Sequence, residues 1–273
     1  MRADTGKISL DDIYTRPDPR AYFRTLRELD YFIPQLAKPY FRTLIQEYRD
    51  ATGVRNPTVL DIGCSYGINA ALLRCDATMD ELYERYDGPG ADKLGMAELL
   101  ERDREMVLLR GAALDGPGSV RFLGLDSSRP ALTYAAEAGF VDGAVHADLE
   151  ENEPTERQRE TLASADLVIS TGCIGYVTER TLGRIVAAAP EGRKPWMAHF
   201  VLRMFPFDPV EKVLDAAGYE TVHAEETFRQ RRFATAGEQS QVLDTLAAVG
   251  VDAGGPESEG WLSARLHISR PAA

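Results

Sequence analysis

Cysteine is scarce in this 273-residue chain, and the three present, Cys64, Cys75 and Cys173, are odd in number and scattered. That pattern argues against a disulfide framework and shows no metal-ligand spacing, so no metal is expected and a cytoplasmic location is. Basic charge is short as well: 31 lysines and arginines against 43 acids leave a net charge of -12. Such a field repels polyphosphate and excludes nucleic acid as an expected partner. The cluster Arg229, Arg231 and Arg232 is too small to reverse it. Long apolar runs are missing too, since none approaches the ~20 residues that span a bilayer. The polar start Met1 to Asp12 has no signal-peptide core, so neither membrane nor export is expected.

What is present suffices for one substantial core, with 44% hydrophobic residues. Residues 1–51 read as a helical arm: Asp18 and Pro19 suit a helix start, and Tyr22, Leu26 and Leu29 recur at helical spacing. A second helix is expected to start near Pro39, with Tyr40, Leu44 and Tyr48 on one face. The aromatic density of Tyr14, Tyr22, Phe23, Tyr31 and Phe32 allows two roles, ordinary packing or a lid over a ligand pocket from Ile8 to Phe32.

Residues 52–273 change to short apolar runs separated by helical segments, the pattern of a doubly wound α/β domain with a mostly parallel, seven-stranded sheet. The expected strands are Thr58 to Ile62, Val120 to Leu125, Ala144 to Ala147, Leu167 to Ser170, Trp196 to Leu202, Tyr219 to His223 and Trp261 to Ile268. The interval 76–118 is too long for a crossover and reads as an insertion of two amphipathic helices, Met79 to Tyr86 and Met96 to Arg110. A surface embellishment, a homodimer contact and a roof over the site are its open uses.

Chemistry concentrates where strands end. Thr58-Val59-Leu60 runs into Asp61-Ile62-Gly63-Cys64-Ser65-Tyr66-Gly67 and directly into a helix beginning Asn69-Ala70-Ala71, a strand, turn and helix nucleotide loop. The loop lacks the G-x-G-x-x-G spacing of a pyrophosphate site, which disfavours a dinucleotide. A second apolar strand ends in Asp126, suited to hold both hydroxyls of a ribose; its alternative role is a helix cap, since Ser127, Ser128 and Pro130 follow. Asp80 lies nearer the usual offset but opens a helix, so Asp126 is preferred. A third strand ends at Asp148 and Leu149, where the alternative is a solvated acid leading the run Glu150, Glu151, Glu153. The fourth ends at Ser170 and Thr171, at the sheet edge where open α/β folds bind ligands.

These residues resemble the class I S-adenosylmethionine-dependent methyltransferases, whose first motif is acid-x-Gly-x-Gly-x-Gly, with Ser65 here in place of the middle glycine. The resemblance covers about Pro57 to Ile268. It implies a Rossmann-like methyltransferase fold and S-adenosyl-L-methionine as cofactor. Asp61, Gly63 and Gly67 would lie along its methionine part, Asp126 at its ribose, and Asp148 with Leu149 at adenine. Cys64, Ser65, Ser127, Ser170 and Thr171 complete the candidate cofactor set, and Tyr14, Tyr22 and Tyr31 the candidate lid. Methyl transfer to a small molecule, a secondary metabolite or amino-acid derivative, leads. Tyr176 and Glu179, after the fourth strand, and His199, on the fifth, are its candidate catalytic residues; the alternative roles are a helix-start acid for Glu179 and a hydrogen-bonded core side chain for His199. Two alternatives keep the cofactor. In one, a closed pocket lets the cofactor's amine attack its own γ-carbon, as in the methyltransferase-like azetidine-2-carboxylate synthases. In the other, the chain is a non-catalytic cofactor-binding module, which the departure at Ser65 alone supports.

Overall fold

The computed structural model describes residues 11–111 and 120–272. Ile8, at the start of the expected lid, and residues 112–118, at the end of the insertion, lie outside the described residues.

Seven strands form one sheet: β1 Thr58–Ile62, β2 Arg121–Asp126, β3 Gly143–His146, β4 Leu167–Thr171, β5 Trp196–Leu202, β6 Tyr219–Arg232 and β7 Trp261–Pro271. Their order is β3-β2-β1-β4-β5-β7-β6. The first five are parallel, and β7 lies antiparallel between β5 and β6. The sheet is therefore mixed. β1 sits centrally and is buried along its whole length, as expected for a strand covered on both faces.

The helices are α1 Asp11–Tyr14, α2 Arg20–Glu28, α3 Ile33–Thr52, α4 Ile68–Arg74, α5 Met79–Asp87, α6 Met96–Arg110, α7 Arg129–Glu137, α8 Glu156–Leu162, α9 Glu179–Ala188, α10 Asp208–Ala216 and α11 Ala236–Ala248. α2 to α7 contribute to the core on one face of the sheet, whereas α8, α9 and α10 pack on the other. α11 covers the β5 and β7 ends through Val242 and Leu246.

Three expectations are corrected. α3 starts at Ile33, with Pro34 in its first turn, and continues through Pro39. Only one intrahelical donor is lost there, and the buried stripe Phe41, Leu44, Ile45 and Tyr48 holds the helix on the sheet. β6 runs on to Arg232, past the polar Glu225 and Glu226, because register shifts between His223 and Thr227 and between Arg229 and Arg231 restart its pairing with β7. α8 was not foreseen, although Thr155 and Gln158 form a capping box at its start.

Tyr40, Leu44 and Tyr48 pack on the sheet. Tyr40 meets Phe200 and Phe228 edge to face, and Tyr48 meets Trp196 and donates to Asp166 at 3.0 Å. Among the described residues, the insertion contributes none to the strand-end cleft described below; it braces the arm. Phe23 of α2 stacks on Tyr86 of α5 at 4.6 Å. The fully buried Asp103 of α6 accepts from Arg85 Nε at 2.7 Å, Tyr86 Oη at 2.7 Å and Tyr134 Oη at 2.5 Å. One carboxylate thus ties α5, α6 and α7 together.

Removing that carboxylate strands two buried phenols and a half-buried guanidinium. Asp103→Ala is expected to cost roughly 3 kcal/mol, read as a lower urea midpoint at constant m-value. A loss below about 0.5 kcal/mol, the scale of ordinary surface substitutions, would show the insertion to be an attached ornament.

Candidate functional site

β1 delivers Asp61 to the C-terminal edge of the sheet, and the chain then turns through three residues of left-handed backbone: Gly63 (φ 64), Ser65 (φ 50) and Gly67 (φ 78). Gly63 is required by space as well, since a Cβ there would lie 2.8 Å from the Cβ of Cys173. Ser65 takes the left-handed conformation that suits a glycine, at a cost on the order of 1 kcal/mol. Its N–H donates to Asp126 Oδ2 at 2.8 Å, which holds it there. The amides of Gly63 and Cys64 donate to the Leu125 carbonyl at 2.8 and 3.4 Å, and that of Gly67 to the Cys64 carbonyl at 2.8 Å. Four loop amides are therefore spent internally, and a pyrophosphate would find few donors.

The acids at the ends of β1, β2 and the β3 connection differ in environment. Asp61 is fully buried; Oδ1 accepts from Asn69 Nδ2 at 3.0 Å, while Oδ2 has no partner. Burial pushes its carboxyl up to about 7, against the Asn69 hydrogen bond and with help from the charge of Asp126. Asp126 accepts from Ser65 N–H and from Ser128 N–H, both at 2.8 Å. Burial raises it too, against those backbone bonds. Each oxygen retains a second lone pair. Ser128 is the N-cap of α7, so capping and strand-end roles meet at one turn. Asp148 is exposed, and its Oδ1 accepts from Glu150 N–H at 3.0 Å.

A cleft of about 500 Å³ opens along these strand ends, and Gly63, Asp126, Ser127, Asp148, Leu149 and Tyr176 are among its lining residues. Asp80 sits exposed in the first turn of α5, outside it. Asp61, Ser170 and Thr171 do not line it, and Cys64, Ser65 and Gly67 lie behind the wall, shaping the loop.

The three candidate catalytic residues separate. Tyr176 lines the cleft at 39% exposure, its ring edge-on to Phe205 at 5.8 Å. Glu179 stands in the first turn of α9, a place that favours an acid through the helix dipole, and does not line the cleft. His199 is corrected outright: fully buried, it contacts Ser170 Oγ through Nδ1 at 2.8 Å and lies near the ring of Phe207. Burial pushes it down to about 3, so it is neutral and walled in. Ser170, its partner, is fully buried with it.

The arm covers the other end of the loop. Tyr66 Oη donates to the carbonyls of Ile13 and Arg16, each at 2.9 Å, and Ser128 Oγ donates to the Tyr14 carbonyl at 2.5 Å. The Tyr22 ring meets those of Tyr14, Tyr31 and Tyr66 edge to face. Thr171 Oγ1 accepts from Asn69 Nδ2 at 3.1 Å. Burial pushes all three arm phenols up, so they stay protonated.

Sequence reasoning missed Asn69 and Gln230. Both are buried, with Asn69 Oδ1 and Gln230 Oε1 unpartnered near the Thr171-Gly172 turn. Asn69, an amide opening an Ala/Leu helix beside the loop, carried a local signal; Gln230, between two arginines of β6, carried none. The three arginines there are committed: Arg229 pairs with Glu259, Arg232 with Asp30, and the buried Arg231 with Glu238 at 2.6 Å.

No protein-family model and no curated protein matches the chain. Among solved structures it is similar to Haemonchus contortus phosphoethanolamine N-methyltransferase 2 in complex with phosphomonomethylethanolamine and S-adenosylhomocysteine. That match has 13% identity and a TM-score of 0.41 over 80% of this chain and 49% of that one, so the chain spans about half of that protein's length. It is also similar to Synechocystis magnesium protoporphyrin IX methyltransferase with bound S-adenosylmethionine (12% identity, TM-score 0.38, 85% and 79% of the two chains). A third is the plantazolicin methyltransferase BpumL in complex with a desmethyl-plantazolicin analogue and S-adenosylhomocysteine (12%, TM-score 0.46, 95% and 93%). At these identities and scores, nothing about ligand or reaction is carried from those proteins to this chain.

Asp61 generates a pH test. Its folded carboxyl, at about 7, lies above the ordinary 3.8, so the folded state binds that proton more tightly and stability falls as pH rises across this interval. Asp61→Asn is expected to remove that part of the slope, measured by denaturant titration at several pH values. Parallel wild-type and variant profiles would refute the assignment.

Proposed function

We propose that this chain binds S-adenosylmethionine across the strand-end cleft and transfers its methyl group to a small-molecule nucleophile. The observation that carries the reading is the row of acids Asp61, Asp126 and Asp148 along adjacent strand ends, beside a loop whose amides are already spent. A dinucleotide needs donors for phosphate, which this loop withholds; a sulfonium with an ammonium and a ribose needs acceptors, which the row supplies.

The fit can be stated by residue. The free Oδ2 of Asp61 and Oδ1 of Asn69 suit an ammonium at the methionine end. Asp126, held by two backbone amides, keeps lone pairs for ribose hydroxyls. Asp148 and Leu149 give adenine one acceptor and one apolar wall. When bound, the cofactor supplies an electrophilic methyl: the acceptor's lone pair forms the new bond, the S–C bond breaks with its pair left on sulfur, and the acceptor loses a proton. Tyr176 is positioned to orient the acceptor or to place its ring beside the sulfonium, an attraction worth up to ~2 kcal/mol when desolvated. Ser65, held left-handed by Asp126, takes the conformation a glycine would, which supports an intact cofactor loop.

One observation favours the cyclising alternative: Tyr22 and Tyr31 are buried, with Tyr14 and Tyr66 edge-on to Tyr22, an enclosure beside the loop that would exclude an acceptor. There the cofactor's amine would attack its own γ-carbon, with the Cγ–S pair leaving on sulfur as methylthioadenosine.

S-adenosylhomocysteine is expected to raise the melting temperature by mass action, and NAD is not. Asp126→Ala should weaken that binding by roughly 1.5 to 3 kcal/mol, with Asp80→Ala near neutral in the same calorimetric titration. NAD binding without a response to either sulfur ligand would overturn the proposal.

Mass spectrometry of the pure protein with S-adenosylmethionine alone separates the two reactions. Methyl transfer predicts no product until an acceptor is supplied and S-adenosylhomocysteine afterwards. Methylthioadenosine without an acceptor would establish cyclisation in its place.

A further inference from the structure

The acid that follows Leu149 has no role in the reaction above, yet it is the most heavily bonded carboxylate of the cleft wall. Glu150 Oε1 accepts from the Thr178 N–H at 2.8 Å and from Thr181 Oγ1 at 2.5 Å, and Oε2 accepts from Thr178 Oγ1 at 2.7 Å. Thr178 is the N-cap of α9, and Thr181 is buried in its first turn. Arg184, one turn on, donates to the Leu149 carbonyl and to Glu153 Oε1, the latter at 2.9 Å. The segment after β3 is thus fastened to the start of α9 by two carboxylates and a carbonyl.

What α9 holds in turn is the loop from β4, residues 172–177, which carries Tyr176. At its other end this loop turns on two glycines with left-handed backbone, Gly172 (φ 75) and Gly175 (φ 112). Gly175 lies so close beneath Phe205 that a Cβ would come 2.3 Å from a ring carbon. The loop is held at its start by the Gly172 N–H, which donates to the Phe200 carbonyl at 2.9 Å, and at its end by Thr178, whose anchor is Glu150, two residues beyond Asp148 and one beyond Leu149. A solvated acidic run would show none of these donors.

We infer that Glu150 is a positioning residue that couples the two walls of the cleft. A ligand seated against Asp148 and Leu149 fixes the backbone at Glu150, and the Glu150 carboxylate transmits that order to Thr178 and so to the Tyr176 loop. Coupling of this kind is reciprocal, so an occupant beside Tyr176 would in turn tighten the first wall. The inference rests on the cofactor reading for the identity of the ligand, not for the contact.

Hydrogen exchange of the amides in 148–151 and 172–178, with and without S-adenosylhomocysteine, tests it on wild type, Glu150→Ala and Thr181→Val. In wild type the ligand slows exchange in both segments. In Glu150→Ala it still slows the first, while its protection of the second falls at least roughly five-fold, the scale of an ordinary coupling free energy. Thr181→Val, which deletes one of three donors and keeps the shape, lies between and decides alone if Glu150→Ala does not fold. Protection of the second segment equal to wild type in the folded variants would overturn the coupling, as would ligand binding to wild type that protects only the first. No binding to wild type would overturn the cofactor reading, and this inference with it.

Discussion

Five carboxylates are buried among the described residues, Asp61, Asp103, Asp166, Glu238 and Glu257, and the way each is satisfied organises the molecule. A buried charge is tolerated only with partners, because desolvation costs several kcal/mol that neighbours must offset. Asp166 meets that demand by joining Tyr48 of α3 to the Thr58 amide at the start of β1. Asp103 joins the three helices beside the arm, and Glu238 locks α11 onto Arg231 of β6. Glu257 holds Arg203 at the end of β5. Only Asp61 keeps an oxygen with no partner among the described residues. It is therefore the one of the five whose hydrogen-bonding demand the fold leaves partly unmet.

The surrounding structure preserves that demand. Asn69 satisfies one oxygen of Asp61 and is itself tied to Thr171, so the carboxylate is held through its first oxygen. The arm, bound through Tyr66 and Ser128, keeps water from reaching it freely, and the insertion holds the arm by the stacking of Phe23 on Tyr86. The two additions to the core sheet thus serve one end: they help bury the carboxylate of Asp61 in low-dielectric surroundings beside the open cleft. Low dielectric strengthens every charge interaction there, which is why this acid costs stability where it is ionised.

On the opposite side the cleft is built differently. Asp148 and Glu150 lie at the surface, and their bonds run to backbone amides and threonines rather than to other charges. Such contacts position segments without storing a large energy, which suits a wall that must admit and release a ligand. Tyr176 stands between the two regimes, edge-on to Phe205 and facing the cleft.

Much of this was legible in the amino-acid order because its signals are local. An apolar run ending in an acid, as at Asp61 and Asp126, marks a buried strand and its exit. Glycines at 63 and 67 mark left-handed turns, and the alternation of runs and helices marks a doubly wound sheet. Residues whose meaning depends on partners far away in sequence were not legible. His199 looked like a base because its strand ends beside the site, but the sheet turned its ring into the core against Phe207. Gln230 and Glu150 looked like polar surface, and only pairing across 58 and 28 residues, with Gly172 and Thr178, gave them places in the site. The reach of β6 past two glutamates, and the antiparallel entry of β7 beside β5, were likewise decided by hydrogen bonds between strands. Period and punctuation are properties of neighbouring residues, whereas pairing is a property of the packed chain.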